Sequence, residues 1–186
     1  LQTILPGPWK QDALLLLGSK PNCGKTSLLS KLAWSVCQQP DNNCISVYWT
    51  IDDTKELLLP KFVCVAEGSK QLEINGVINP NYYSRTNPDL LQRRTAGYNK
   101  VIQAMRDQQL MLKDMNSGSD LAYMESLISG LRDRYPEKRI FFVLDNFHKL
   151  QDFKSLEERI RFKQLSQMVK GIATNYHITI FASVEY

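Results

Sequence analysis

The chain has 186 residues, 43% of them hydrophobic and 23% charged, and its 23 Lys+Arg against 19 Asp+Glu leave a net charge of +4. These are the proportions of an ordinary soluble globular protein, long enough to bury a core as one domain spanning residues 1–186, with no low-complexity tract. No apolar run approaches the roughly 18 residues that a membrane span needs, and the mild positive charge is compatible with a nucleic-acid partner without demonstrating one.

The opening Leu1-Gln2-Thr3-Ile4-Leu5-Pro6 lacks the basic and long apolar segments of a signal peptide; with no initiator Met it reads as part of a larger protein. Pro6-Gly7-Pro8 marks a turn into a first strand at residues 13–17, an unbroken apolar run expected of a strand buried on both faces of a parallel sheet. A helix is predicted over residues 26–37, and a second strand, rich in β-branched and aromatic residues, over 44–50, leading to Asp52-Asp53. Helical spacing resumes over residues 54–66, where Pro60 has to lie in the first turn or two or kink the helix. Residues 67–88 are rich in Gly, Asn and Pro, with turns at Asn75-Gly76 and Asn79-Pro80-Asn81. Beyond them come a long amphipathic helix (89–109), a short strand (110–115) and a helix over 121–135, which Ser119 or Asp120 can cap and Pro136 follows. A buried strand over 139–146 presents Asp145 at its end, and a helix (156–176) and a strand (178–183) complete the chain.

Strands alternate with helices throughout, which predicts an α/β fold with a mainly parallel sheet flanked by helices. In such sheets ligands bind beyond the carboxyl ends of the strands. Asp52, Asp53, Asp145 and Ser183 all fall there, as does the stretch Gly18-Ser19-Lys20-Pro21-Asn22-Cys23-Gly24-Lys25-Thr26-Ser27 after the first strand. Strand, loop and helix in that order is the context of a phosphate-binding loop: backbone N–H groups turn inward, and the helix behind adds unpaired donors and partial positive charge. Gly24 lets the backbone approach the phosphates, Lys25 can reach the β- and γ-phosphates, and Thr26 supplies a hydroxyl for Mg²⁺. The strict G-x-x-x-x-G-K-[ST] pattern is not met, because Ser19 stands where its first glycine belongs. Asp145 pairs with Thr26 as the second Mg²⁺ group, and Asp52 or Asp53 is placed to orient or deprotonate an attacking water, although Asp53 can equally cap the next helix.

Cys23, Cys37, Cys44 and Cys64 show neither C-x-x-C spacing nor nearby histidines, so no zinc or thioredoxin-like site is indicated and a reduced, cytoplasmic setting follows. Cys23, inside the loop, reads as a small filler more readily than as an oxidation-sensitive thiol.

Ser19-Lys20-Pro21-Asn22-Cys23-Gly24-Lys25-Thr26 resembles the phosphate loop of the DnaB-like replicative helicases, a RecA-fold group of P-loop NTPases whose loop reads A-R-P-x-x-G-K-T and also lacks the first glycine. Trp49-Thr50-Ile51-Asp52 is similar to the family's F-S-L-E, Val143-Leu144-Asp145-Asn146-Phe147-His148 to its I-D-Y-L-Q, and residues 165–173 to its I-S-R-x-L-K-x-L-A helix. The resemblance spans almost the whole chain. It implies a RecA-like ATPase domain that binds ATP and Mg²⁺ and works on single-stranded DNA as a subunit of a hexameric ring. By position, Lys25, Asp52 and Asp145 are its catalytic residues, Ser19 through Ser27 its nucleotide-binding loop, and Thr26 and Asp145 its metal-binding pair.

Three departures qualify the resemblance. Asp52 is one methylene shorter than the family's Glu; Val184 stands where the family's last strand, S-Q-L-N, has the Gln that senses the γ-phosphate; and His148 replaces the Gln after the Walker B acid. The chain also stops before the segments that carry the family's second DNA loop and arginine finger. Lys149, Lys154, Arg159, Arg161 and Lys163 either meet DNA phosphates or form a solvated helix face, since Asp152, Glu157 and Glu158 interleave with them. Phe147, Phe153 and Phe162 are the few aromatics there that a base could stack on. An ATP-binding regulatory or assembly module without helicase activity, and a RecA fold that binds no nucleotide, stand as the other readings.

Overall fold

A computed structural model describes residues 11–39, 43–68, 77, 79 and 88–185, so most of the predicted Gly/Asn/Pro-rich connection and the turn at Pro6-Gly7-Pro8 lie outside the described residues. In chain order the elements are β1 (Ala13–Ser19), α1 (Lys25–Cys37), β2 (Cys44–Thr50), α2 (Lys55–Glu67), α3 (Pro88–Arg106), β3 (Leu110–Lys113), α4 (Leu121–Arg134), β4 (Arg139–Asp145), α5 (Glu158–Asn175) and β5 (Thr179–Glu185). A 3₁₀ turn, Phe147–Lys149, follows β4. These bounds sit within a few residues of those read from periodicity. Pro60 lies in the second turn of α2, buried, and the helix runs through it; only the bond to one first-turn carbonyl is lost.

All strand pairs are parallel, in the order β1-β5-β4-β2-β3. The fold is thus the α/β fold with a mainly parallel sheet that was expected, with five strands, all parallel, among the described residues. From β1 the chain crosses to β2, steps outward to β3, then returns to lay β4 and β5 into the gap. Four carboxyl ends that are far apart in sequence therefore become neighbours.

Strand alternation divides the core into two layers. Tyr48, Val143 and Phe181 pack under Leu29 and Ala33 of α1, Phe62 and Val63 of α2, and Val101 of α3. Val47, Trp49, Phe142, Leu144 and Ile180 pack under Met124 and Ile128 of α4 and Leu165 and Val169 of α5. All seven residues of β2 are buried, as a central strand covered on both faces requires. Full burial of each large apolar side chain is worth about 1.5–3 kcal/mol. Arg132 ties α4 to the far end of the sheet, donating to the carbonyls of Lys138 at 2.7 Å, His177 at 2.8 Å and Tyr176 at 2.9 Å.

β1 departs from expectation. Among the described residues it pairs with β5 alone, and Leu16 is 51% exposed. An apolar run reports hydrophobicity on both faces but not whether a strand has one neighbour or two. No helix among the described residues is long and apolar enough to cross a membrane.

Candidate functional site

The loop after β1 is shaped by two left-handed backbone positions, Asn22 at φ 60° and Gly24 at φ 84°. No atom would meet a Cβ placed on Gly24, so the demand for glycine there comes from the dihedral, not from crowding. Helix α1 begins immediately afterwards with no side-chain cap, which leaves its first N–H groups facing the loop. Lys25 is buried, and its ammonium turns back onto the end of β1, donating to the carbonyls of Lys20 at 2.9 Å and Ser19 at 3.1 Å. Glu185 Oε1, at the end of β5, lies 3.4 Å from the same nitrogen.

Asp145 closes β4 at 2% exposure. A carboxylate that deep has to be hydrogen-bonded, and three hydroxyls do so: Ser183 donates to Oδ1 at 2.5 Å, while Tyr48 at 2.7 Å and Thr26 at 2.8 Å donate to Oδ2. Parallel pairing supplies this convergence, since Thr50 lies opposite Asp145 in the β2–β4 register and Leu144 opposite Ala182 in the β4–β5 register. The phenol of Tyr48 is pushed well above its usual pKa, first by burial and then by the charge of Asp145. The Asp145-Asn146 peptide is cis.

The two acids after β2 diverge. Both backbone N–H groups donate to Thr50 Oγ1, but Asp53 pairs with Lys61 of α2 at 2.5 Å, whereas Asp52 accepts from the Asn146 side chain and has Lys149 Nζ at 3.8 Å. Thr54, not Asp53, occupies the N-cap of α2, and the carboxylate of Asp114 accepts from the first N–H of that helix at 3.3 Å.

A cavity of about 530 Å³ opens between these strand ends, within the range of small-molecule sites. Asn22, Gly24, Lys25, Thr26 and Ser27 line it on the loop side; Asp52, Asp53, Asp145, Asn146 and Glu185 line it on the strand side; and Lys61, Cys64 and Val65 of α2 form the remaining wall. Ser19 and Lys20 touch it only through Lys25, and the exposed Pro21 and Cys23 are not among its lining residues. Thr26 and Asp145 would hold a divalent cation. A hydroxyl and a carboxylate with no cationic partner among the described residues, converged on one point, match the hard oxygen donors that Mg²⁺ takes alongside phosphate and water.

Several contacts were not anticipated from sequence. The last residues of β5 alternate: Ser183 and Glu185 face Asp145 and Lys25, while Val184 joins the apolar layer beneath α4 and α5. The side chain presented to the cavity at this point is therefore Glu185. His148 Nε2 lies 3.5 Å from Glu185 Oε2, its Nδ1 is buried without a hydrogen-bond partner among the described residues, and burial lowers its pKa. Arg161 does not face outward; it donates to the carbonyls of Asp152 at 3.0 Å, His148 at 3.3 Å and Leu150. Phe147 and Phe162 stack on each other at 6.2 Å, leaving Phe153 as the exposed ring of the three. Lys154, Arg159 and Lys163 are exposed. All four cysteines are free, with Cys37 and Cys44 buried.

A parallel sheet in this order, with a strand–loop–helix at its first strand and the acid that ends β4 bonded to Thr26 at the start of α1, is the architecture of the RecA-like P-loop NTPase fold. No protein-family model matches the chain, and no curated protein matches it by sequence. Among solved structures it is similar to the ATPase domain of G40P, with a TM-score of 0.76 at 14% identity over 95% of this chain and 58% of that one. It is also similar to a DnaB-like replicative helicase whose structure includes its interactions with primase, with a TM-score of 0.77 at 15% identity over 95% of this chain and 39% of that one. At these identities the likeness is one of fold: the chain has the architecture of DnaB-like helicase ATPase domains and spans about two fifths to three fifths of those chains.

Proposed function

We propose that this chain is a Mg²⁺-dependent, ATP-binding and ATP-hydrolysing motor domain of DnaB-helicase type, acting as one subunit of a hexameric ring on single-stranded DNA. The observation that carries the reading is the 2.8 Å bond from Thr26 to a buried Asp145, which locks the loop and helix α1 to the end of β4 beside Lys25. The N–H groups of the loop and of the first turn of α1 bind phosphate oxygens, and Lys25 neutralises them. Thr26 and Asp145 would hold Mg²⁺, which would supply neutralisation of phosphate charge. Asp52, held by the Asn146 amide, orients a water and takes its proton. Lys149, Lys154, Arg159 and Lys163 would track a DNA backbone, with salt-dependent, sequence-independent affinity. Four free thiols fit a reducing compartment, the cytoplasm.

A second reading is an ATP-binding assembly module without helicase activity. It is favoured by the carboxylate of Glu185 beside Lys25 and by the inward turn of Arg161, which leaves a thinner basic surface. ATP turnover measured with and without single-stranded DNA separates the two. Stimulation that fades with added salt supports the motor, and turnover indifferent to DNA at every salt concentration supports the module.

A further inference from the structure

The ammonium of Lys25 donates to three oxygens at the end of β1, the carbonyls of Lys20 and Ser19 and, more weakly, Ser19 Oγ at 3.5 Å, and Glu185 Oε1 lies 3.4 Å from it as its ion-pair partner. The two carbonyls anchor the lysine to the end of β1. Glu185 is of another kind, a partly exposed carboxylate on the cavity side, with its second oxygen 3.5 Å from His148 Nε2. A phosphate that reaches Lys25 has to displace this carboxylate, because two anions cannot share one ammonium without repelling each other. His148 offers Glu185 a partner to retain when Lys25 is given up.

We infer that Glu185 is a specificity-determining residue of the phosphate site: it competes with the terminal phosphate for Lys25 and passes to His148 when displaced. This rests on the nucleotide-site reading above and goes beyond it. On the nucleotide-site reading Lys25 reaches the β- and γ-phosphates, and only a triphosphate brings a further anionic group beside Lys25 and Glu185. Glu185 therefore sets the balance between tri- and diphosphate binding, and His148 lowers the cost of admitting the longer ligand. Strand parity makes this possible, since the same carboxylate at Val184 would lie in the apolar layer under α4 and α5.

The test is calorimetric titration of the 186-residue chain with MgATPγS and with MgADP, for wild type, E185Q, H148A and the double variant. Removal of the competing charge in E185Q is expected to tighten MgATPγS at least tenfold and MgADP less than threefold. H148A is expected to weaken MgATPγS in the wild-type background and to have no effect beside E185Q, a coupling that a purely structural role would not produce. Glu185→Ala, which also removes the charge, is expected to rank with E185Q. Wild-type binding with MgATPγS affinity unchanged or weakened in both charge-removing variants overturns the role given to Glu185 alone. Failure of the wild type to bind either nucleotide overturns the site reading beneath it.

Discussion

Tyr48→Phe removes one of the three hydroxyl donors of the buried cluster around Asp145. The ring stays, packed edge-on against Phe62 at 5.2 Å, and only the hydroxyl that donates to Asp145 at 2.7 Å is lost. Both groups are almost wholly excluded from water. The carboxylate then keeps two of its three hydroxyl donors, and at 2% exposure it meets little solvent to replace the third. A hydrogen bond to a charged group contributes about 1.5–3 kcal/mol. For a chain of this size each kcal/mol moves Tm by about 2–4 °C, so a fall of about 3–12 °C is expected. Urea unfolding should show a lower midpoint with the m-value unchanged. A variant within about 0.5 kcal/mol of wild type, the range of an inconsequential surface change, would refute the view that Asp145 is a desolvated carboxylate held by hydroxyls.

Asp52→Asn should lower ATP turnover by about 10²–10⁴-fold, the usual contribution of a general base, while MgATP affinity stays within a few-fold; retained turnover would return the role to Asp53 or elsewhere. Arg161→Met should cost about 1–3 kcal/mol through its lost carbonyl partners, whereas Lys154→Ala and Lys163→Ala leave stability within about 0.5 kcal/mol and each reduce the salt slope of single-stranded DNA binding by about 0.7. Burial pushes the Cys37 and Cys44 thiols from 9.0 to about 11. The folded chain therefore holds more protons than the unfolded one in that window, and stability should fall as pH rises from 9 to 11. Urea midpoints across the window should decline less steeply in a Cys37→Ala/Cys44→Ala variant, and an identical slope would contradict the assignment.

The strand–loop–helix at residues 13–37, the acids at the strand ends and the α/β alternation were legible because each is a local pattern: an apolar run, a turn, a spacing. What escaped depends on partners remote in sequence. Whether β1 has one neighbour or two is set by the order in which later strands insert, which its own leucines do not encode. The orientation of Glu185 needs the parity of β5, and a motif aligned on Val184 assigns the cavity to a residue on the opposite face. Arg161 looks like one more cation on an exposed helix until the carbonyls of the 148–152 loop are brought beside it. Asp53 could be read as a helix cap from its neighbours, but the preference went to Lys61, two helical turns away and on the cavity wall. Tyr48 was legible as an aromatic of the second strand, and only the β2–β4 register adds its bond to Asp145.

The central claim is that Lys25, Thr26 and Asp145 form one phosphate and metal site. The most direct measurement is calorimetric titration of the wild-type chain and of Lys25→Ala with MgATP, repeated with ATP in excess EDTA. Saturable binding by the wild type is expected, weakened when Mg²⁺ is withheld and abolished in a Lys25→Ala variant that still folds. Equal affinity in wild type and variant, or no binding by the folded wild type, would contradict it.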